Sequence, residues 1–117
     1  MNQFQKVVQQ KHQLYSEYAR AINCLLGLTP KQVVVFSKLL ELTDSTPFNK
    51  KLLSRENRIE IFETCEINDC NLSTFLTEFK DKGVLVKVKD SWIINKSLIP
   101  IIDDNTCKLV FTIKLYE

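Results

Sequence analysis

Apolar residues at helical spacing occupy the first part of the chain. Between about His12 and Gly27 they recur every three or four positions, the period of a helix with one buried face. The residues in this pattern are Leu14 or Tyr15, Tyr18, Ala21, Ile22, Leu25 and Leu26. Glycine often ends a helix because it adopts left-handed backbone angles without strain. The pattern therefore predicts a first helix that stops at Gly27, preceded by a short strand or arm over residues 1–10.

A second helix is predicted by the segment LTPKQVVVFSKLLELT. Thr29 is a good N-cap, and Pro30 suits the first helical position, where its missing N–H leaves no hydrogen bond unmade. The helix should end near Thr43 or Asp44, before a polar loop that contains Pro47. Its predicted buried stripe consists of Val33, Phe36, Leu39 and Leu40.

A third helix is predicted in SRENRIEIFETCE, with Ser54 or Asn57 as its N-cap. Its apolar residues are fewer than those of the second helix and are spaced less regularly. We expect the inward side to consist of Ile59, Phe62 and either Ile61 or Cys65.

The clearest helical pattern lies in INDCNLSTFLTEFKDKG. Asn68 is the predicted N-cap, Asp69 suits the positive end of the helix dipole, and Gly83 suits the position after the helix. Together they predict a helix from about Asp69 to Lys82, preceded by a tight turn in which Ile67 is buried. The apolar face of this helix is Leu72, Phe75, Leu76 and Phe79, at i, i+3, i+4 and i+7.

A β-hairpin is predicted after Gly83, because the period of the pattern changes to two. The alternating residues are Val84, Val86 and Val88 on one side and Leu85, Lys87 and Lys89 on the other. Asp90 and Ser91 form the predicted turn, and WIIN supplies the returning strand.

A further strand is predicted near the end of the chain, after an Asp-Asp-Asn turn at 103–105. Its alternating residues are Leu109, Phe111 and Ile113 on one side and Val110, Thr112 and Lys114 on the other. We expect it to pair with the hairpin or with the N-terminal arm. An unpaired edge would be a homodimer seam, because free backbone groups accept another strand.

The first helix offers a second homodimer surface. Its candidate residues for that surface are Tyr15, Tyr18, Ile22 and Leu26. The alternative is that the first helix and the terminal strand simply close the core of the monomer.

Length and composition fit a single domain of mixed α+β class, mainly helical. The chain has 117 residues, of which 44% are hydrophobic, and two glycines with three prolines leave no flexible linker. The predicted division is an arm or strand at 1–10, helices at 12–83, and a hairpin with a C-terminal strand at 84–117. The N-terminal segment lacks the apolar run of a signal peptide or a membrane span. We therefore expect a cytoplasmic protein with no membrane partner.

The sequence offers little for catalysis, metals or cofactors. Four cysteines, at 24, 65, 70 and 107, form no Cys-x-x-Cys pair, and His12 is the single histidine, so no zinc site is indicated. We expect reduced cysteines that pack mostly as small apolar residues. There is no Gly-rich phosphate loop, and the residues around His12 do not suggest a catalytic triad. These observations predict a protein that is not an enzyme and has no metal and no cofactor.

The net charge of +2 is small, but the charges are grouped. Residues 50–58 carry four basic side chains and one acidic one, and residues 80–96 carry five basic and two acidic ones. Residues 59–79, between them, carry five acidic side chains and no basic one. Two basic segments therefore flank an acidic one, and each basic segment is a candidate for contacts with nucleic-acid phosphates.

The order of the predicted elements, two helices joined by a short turn and then a hairpin, is that of a winged helix-turn-helix. The segment NRIEIFETCEINDCNLSTFLTEFKDKGVLVK resembles the helix-turn-helix and wing of winged-helix regulators. With LYSEY, LTPKQVVVFSKLLEL, INKSLIP and KLVFTIKLY, nearly the whole chain is similar to small winged-helix proteins encoded by bacteriophages. The resemblance implies a regulator of transcription or replication in the host cytoplasm. It also implies that helix 69–82 reads double-stranded DNA and that the wing touches its backbone or minor groove.

The resemblance and the charge pattern together indicate the residues that contact DNA. On the reading helix they are Asn68, Asn71, Ser73, Thr74, Thr77 and Lys80. Phosphate contacts are expected from Lys50, Lys51, Arg55 and Arg58 before the motif and from Lys87 and Lys89 on the wing. Short polar side chains can donate to and accept from base edges, and asparagine commonly pairs with adenine. Asn71 is therefore the predicted base reader.

Other features favour a protein partner. The predicted reading helix carries no arginine, and Glu78 and Asp81 near its end would repel phosphate. Taken singly, lysines and arginines are most often ordinary solvated surface residues. The alternative function is a winged-helix protein that docks on another protein or belongs to a virion structure, without sequence-specific DNA binding.

Overall fold

The computed structural model describes residues 7–47, 49–104, 106–109 and 115. Over these residues the protein is mainly helical with a small antiparallel β part, so the predicted α+β class is confirmed. The helices are α1 (Lys11–Leu26), α2 (Pro30–Ser45), α3 (Arg55–Cys65) and α4 (Asp69–Asp81). The strands are β1 (Leu85–Val88), β2 (Ser91–Ile94), β3 (Ile102–Asp103) and β4 (Thr106–Cys107), with a 3-10 turn at Lys96–Leu98.

The signals at the ends of the first two helices act as predicted. Gly27 ends α1 with a left-handed φ of 66°. Thr29 caps α2, because its hydroxyl accepts a hydrogen bond from the Gln32 N–H at 3.3 Å, and Pro30 is the first helical residue. α2 continues to Ser45, slightly beyond its predicted end. These signals depend on neighbours in sequence, so the sequence alone reveals them.

The side of α1 that packs on α2 differs in part from the predicted one. Its buried residues are Tyr15, Tyr18, Ala19 and Ile22. The prediction was wrong for Ala21 and Leu25, which are exposed, Leu25 by 72%. The contact between two helices is a narrow stripe, and here it runs through the small side chain of Ala19. The two tyrosines and Ile22 lie in the core of the single chain, and the homodimer surface predicted for this helix stays a prediction.

α2 is the central helix and contacts α1, α3 and β2. Because other elements cover it on several sides, its burial extends beyond a single stripe. All four predicted residues are buried, together with three more: Val33, Phe36, Leu39 and Leu40, then Gln32, Val35 and Leu42. Val34 remains on the solvent side.

α3 starts after Ser54, whose hydroxyl accepts a backbone N–H of the first turn at 3.3 Å. The helix buries Ile61 and Cys65, one turn apart, and Phe62 is half-buried against the core. Ile59 was predicted to face inward and is 45% exposed. Two positions along a helix correspond to nearly opposite sides, so the burial of Ile61 turns Ile59 outward.

β1 and β2 form an antiparallel hairpin in which Leu85 pairs with Ile94. Ser91 is already a paired strand residue, so the turn lies at Lys89 and Asp90, one residue before the predicted turn. Lys89 has the left-handed φ of 55° that such a tight reversal needs. Burial of Leu85 and Ile94 sets this register, whereas residue type alone favoured Asp-Ser as the turn.

The two faces of the hairpin lie in different surroundings. Leu85 and Ile94 are buried on the inner face. Val86, Val88 and Ile93 on the outer face are between 38% and 46% exposed. The outer face is therefore apolar and open to solvent.

The segment after β2 folds back on the helices. The Tyr18 hydroxyl donates to the Leu98 carbonyl at 2.6 Å. Ile102 and Cys107, which pair in the β3–β4 ladder, pack against the core. Of the turn predicted at 103–105, Asp103 lies in β3, Asp104 takes a left-handed φ of 49°, and Asn105 lies outside the described residues.

Most of the two predicted terminal strands lies outside the described residues. Of the N-terminal arm, residues 1–6 lie outside the described residues, and residues 7–10 form no strand. Of the C-terminal strand at 109–114, the described part is Leu109 alone, which is exposed. The strand pairing predicted for these segments therefore stays a prediction.

The cysteines divide into two groups. Cys65 is buried and Cys107 half-buried, as expected of small apolar residues, and burial raises the pKa of both thiols. Cys24 and Cys70 are exposed, although most of the cysteines were predicted to be packed as small apolar residues. All four are free thiols.

Candidate nucleic-acid interface

A short turn over residues 66–68 joins α3 to α4. Glu66 takes a left-handed φ of 56°, and the Ile67 N–H donates back to the Phe62 carbonyl at 3.2 Å, which closes α3. Ile67 was predicted to be buried and is half-buried against the core. The turn is fixed by its backbone and by this apolar side chain, so α4 leaves α3 in one defined direction.

Asn68 and Asn71 cap the start of α4 reciprocally. The Asn68 Oδ1 accepts from the Asn71 N–H at 2.8 Å, and the Asn71 Oδ1 accepts from the Asn68 N–H at 3.2 Å. Two backbone donors at the helix start are thereby satisfied. Both residues are exposed, yet the amide oxygen of Asn71, the predicted base reader, is already hydrogen-bonded within the cap.

The end of α4 is connected rigidly to the hairpin. Gly83, at a φ of 77°, donates its N–H to the Lys80 carbonyl at 3.1 Å, and the Val84 N–H donates to the Phe79 carbonyl at 2.8 Å. Asn95, just after β2, donates its backbone N–H to the Val84 carbonyl and its side-chain amide to the Gly83 carbonyl, both at 2.9 Å. The hairpin is therefore held at a fixed angle to α4.

α4 has one apolar side and one polar side. Leu72, Leu76 and Phe79 are buried, and Phe75 is half-buried against the core, so the predicted apolar face is confirmed. The opposite side is exposed and carries Cys70, Asn71, Ser73, Thr74, Thr77, Lys80 and Asp81. Of the residues predicted to contact DNA, the five within α4 therefore lie together on its exposed side: Asn71, Ser73, Thr74, Thr77 and Lys80.

The two threonines on the exposed side bond to their own helix. The Thr74 Oγ1 donates to the Cys70 carbonyl at 3.1 Å, and the Thr77 Oγ1 donates to the Ser73 carbonyl at 3.2 Å. Each bond spans one turn, so the hydroxyl lies back against the backbone.

Glu78, one of the two acids expected to repel phosphate, is hydrogen-bonded to α2. Its carboxylate accepts a hydrogen bond from the side-chain amide of Gln32, which is 3% exposed. The Gln32 amide oxygen accepts from the Thr29 N–H at 2.9 Å. Directly after α4, the Lys82 Nζ donates to the Gly27 carbonyl at 2.7 Å. The C-terminal end of α4 is thus held both by α2 and by the loop between α1 and α2.

Arg58 differs from the other basic residues before the turn. The exposed ones are Lys50, Lys51 and Arg55. The Arg58 Nε donates to the Leu53 carbonyl at 3.2 Å, and its guanidinium lies 3.7 Å from the Asp69 carboxylate. The Arg58 side chain therefore connects the segment before α3 with the first turn of α4.

Lys87 and Lys89 are both exposed on the hairpin. The Lys87 Nζ lies 5.5 Å from the centroid of the Trp92 ring, a cation–π contact between opposite residues of the two strands. Lys89 lies in the turn itself. The hairpin thus carries one cation on a strand and one at its tip.

Three residues that hold this surface in place were missed from the sequence: Gln32, Lys82 and Asn95. Their partners lie 46, 55 and 12 positions away along the chain. Local patterns carry no information at such separations. A signal existed for Gln32 alone, because Thr29 and Gln32 have the spacing of a capping box, and both halves of that box are present.

No protein-family profile, curated protein or solved structure matches the chain. In the part of the chain that the structure describes, no helix has both the length and the apolar character needed to cross a bilayer. Over the same residues, no three His, Cys, Asp or Glu side chains gather as a metal ion would require. The geometry of α3, α4 and the hairpin is therefore the ground for a proposed function.

Proposed function

We propose that the chain is a winged helix-turn-helix module that binds double-stranded DNA, with α4 in the major groove and the β1–β2 hairpin as the wing. One observation carries the proposal: α4 is fixed at both ends, and its outward residues from Cys70 to Thr77 are exposed and uncharged. Such a face suits the edges of base pairs, which present donors, acceptors and methyl groups. The role is then that of a regulator of transcription or replication, as in the bacteriophage proteins that the sequence resembles.

The positions of the charges support DNA over a neutral partner. Glu78 is half-buried and hydrogen-bonded to Gln32, so its carboxylate is drawn to one flank of α4. Arg58 pairs with Asp69, and we assign it to positioning α4 instead of contacting phosphate. The cations that remain for phosphates are Lys50, Lys51, Arg55, Lys80, Lys87 and Lys89.

A titration with duplex DNA of random sequence, at low and at moderate salt, tests the proposal. Each phosphate that a lysine or arginine neutralises contributes about −0.9 to the slope of log affinity against log salt. We expect clear binding at low salt and a slope no steeper than about −5, the value for all of the remaining cations together. Absence of binding at low salt would overturn the proposal.

The second candidate function is protein docking, and the outer face of the hairpin favours it. Val86, Val88 and Ile93 are exposed there on one face. In this case the duplex titration shows no binding at either salt. A partner protein captured by the parent chain should then be lost when Val88 and Ile93 are both replaced by threonine, which keeps the β-branched shape and adds a hydroxyl.

A further inference from the structure

Gln32 is the only buried residue, among those that the structure describes, whose side chain ends in an amide or a charged group. It lies in the first turn of α2 and is 3% exposed. Its amide oxygen accepts from the Thr29 N–H at 2.9 Å, and its amide nitrogen donates to the Glu78 carboxylate on α4. Both ends of the amide are therefore engaged, one of them by a charged residue of another helix.

Glu78 lies at the edge of the exposed side of α4. It follows Thr74 by four positions and Asn71 by seven, so the three residues lie along one side of the helix. Lys80 lies on the other flank, because two positions along a helix correspond to nearly opposite sides. The exposed side of α4 therefore has a carboxylate on one flank and an ammonium group on the other.

The bond to Gln32 determines where the Glu78 carboxylate lies. A glutamate side chain has several rotatable bonds, and a free one samples many positions in solvent. Here the carboxylate is directed towards the start of α2, and Glu78 as a whole is half-buried. Hydrogen bonds to charged groups are stronger than those between neutral groups, so the held position is favoured. Without the amide, the same charge would be free to extend towards a ligand of α4.

We infer that Gln32 is a positioning residue for DNA binding, which holds the Glu78 carboxylate against α2 and away from the phosphates beside α4. The inference rests on the proposed DNA-binding function. Two like charges about 4 Å apart in water repel each other enough to lower affinity about fivefold. Holding the carboxylate back avoids this repulsion. The negative charge that remains on this flank favours phosphate on the opposite one, where Lys80 lies.

A double-mutant cycle on positions 32 and 78 tests the inference. Gln32→Met keeps the length of the side chain and removes the amide, so it releases the carboxylate. We expect its affinity for duplex DNA of random sequence, at low salt, to fall about fivefold. Glu78→Gln keeps an oxygen that accepts from Gln32 and removes the charge. In that background Gln32→Met should leave the affinity unchanged, because no carboxylate remains to be released.

The cap of α2 provides a control for lost stability. Gln32→Met also removes the acceptor of the Thr29 N–H and so weakens the start of α2. Thr29→Ala breaks the other half of the same capping box and leaves the Gln32 amide to hold Glu78. We expect Thr29→Ala to lower the melting temperature and to bind DNA like the parent.

A second substitution at position 32 keeps the test open if Gln32→Met does not fold. Gln32→Glu retains an acceptor for the Thr29 N–H and places a like charge beside Glu78, so it releases that carboxylate by repulsion. The loss of affinity should again be larger in the parent than in the Glu78→Gln background. Circular dichroism of each variant checks that the helices are retained.

Each possible result decides one question. No binding by the parent at low salt overturns the proposed function, and the inference with it. Binding by the parent, with the same loss from Gln32→Met in both backgrounds, makes Gln32 a purely structural residue and overturns the inference alone. An unchanged affinity in folded Gln32→Met also overturns it, and so does a loss of affinity in Thr29→Ala as large as that in Gln32→Met.

Discussion

Leu25 on α1 and Leu76 on α4 have the same side chain in opposite surroundings. Leu25 is 72% exposed and Leu76 is 5% exposed, although the hydrophobic pattern placed both inward. Which side of a helix is buried depends on the elements packed against it. α4 has a continuous apolar face, so the pattern is sufficient there, whereas α1 has apolar residues on two sides near its C-terminal end.

The two leucines form a matched pair for mutation. We expect Leu76→Ala to lower the free energy of unfolding by about 2 to 5 kcal/mol, because it leaves a cavity in the core. Leu25→Ala removes the same atoms from a side chain that is exposed to solvent, so it should change the free energy of unfolding by less than about 0.5 kcal/mol. Urea unfolding of both variants measures the difference. Equal effects would contradict the orientation of one of the two helices.

Ionisation of Tyr15 makes the stability of the fold depend on pH in the alkaline range. Burial, and then the nearby Asp44 carboxylate, raises the pKa of Tyr15 from 10.0 to about 12, so folding favours the neutral phenol. Its contribution is therefore complete below pH 10.0 and is lost as the pH rises through about 12. We expect the melting temperature to fall over this range, and to fall less in Tyr15→Phe, which has no phenolic proton. A variant that loses stability as steeply as the parent would assign the effect to other groups.

At the scale of elements, the ends of helices were more predictable from the sequence than the contacts between them. Thr29, Asn68 and Gly83 act within a few residues of their own positions, and all three take their predicted roles. The hairpin turn was misplaced by one residue because its register depends on burial against the helices. The polar side of α4 was predictable for the same reason as its apolar side. The cap that engages Asn71 has the local spacing of a capping box, whereas the bond between Gln32 and Glu78 joins residues 46 positions apart and was not predictable.

A double substitution in the β1–β2 hairpin tests the proposed DNA contacts. Lys87→Met keeps the apolar stem over Trp92, and Lys89→Asn tolerates the left-handed φ of 55° at the tip. The double variant should bind all duplexes more weakly, with a salt slope shallower by about 2, because each lysine neutralises one phosphate. Affinity measured over a range of salt concentrations provides the slope.

A control for the hairpin variant removes the same charge elsewhere. Lys11→Met with Arg20→Met takes two cations from α1, where they pair with Asp44 and Glu17 at the surface. Such pairs contribute little to stability. If this control weakened DNA binding as much as the hairpin variant, the effect would be one of net charge and the hairpin would not be a contact.

At the scale of the whole molecule, α2 connects the helices to the β part. α1, α3 and β2 all contact it, and the Tyr18 hydroxyl on α1 is bonded to the Leu98 carbonyl beyond the hairpin. Separate unfolding of the hairpin would expose the core residues Leu85 and Ile94. The packing therefore favours one cooperative unit.

Cooperativity can be measured with two probes that report on different parts. Trp92, the single tryptophan, lies on β2, and circular dichroism reports mainly on the helices. We expect fluorescence and circular dichroism to give the same urea midpoint, as in two-state unfolding of a small domain. A lower midpoint by fluorescence would mean that the hairpin unfolds first and that the chain is not a single cooperative domain.

The hydrogen bond between Gln32 and Glu78 has a consequence for how this sequence can vary. Glu78 lies beside the face proposed to read DNA, and Gln32 lies in the core. A substitution of the buried Gln32 therefore changes the surroundings of the Glu78 carboxylate. Loss of the Gln32 amide would leave a carboxylate without its partner next to the proposed ligand. Substitutions at positions 32 and 78 should therefore occur together in evolution. The residue at position 32 would then vary like a DNA-contacting residue, although it lies in the core.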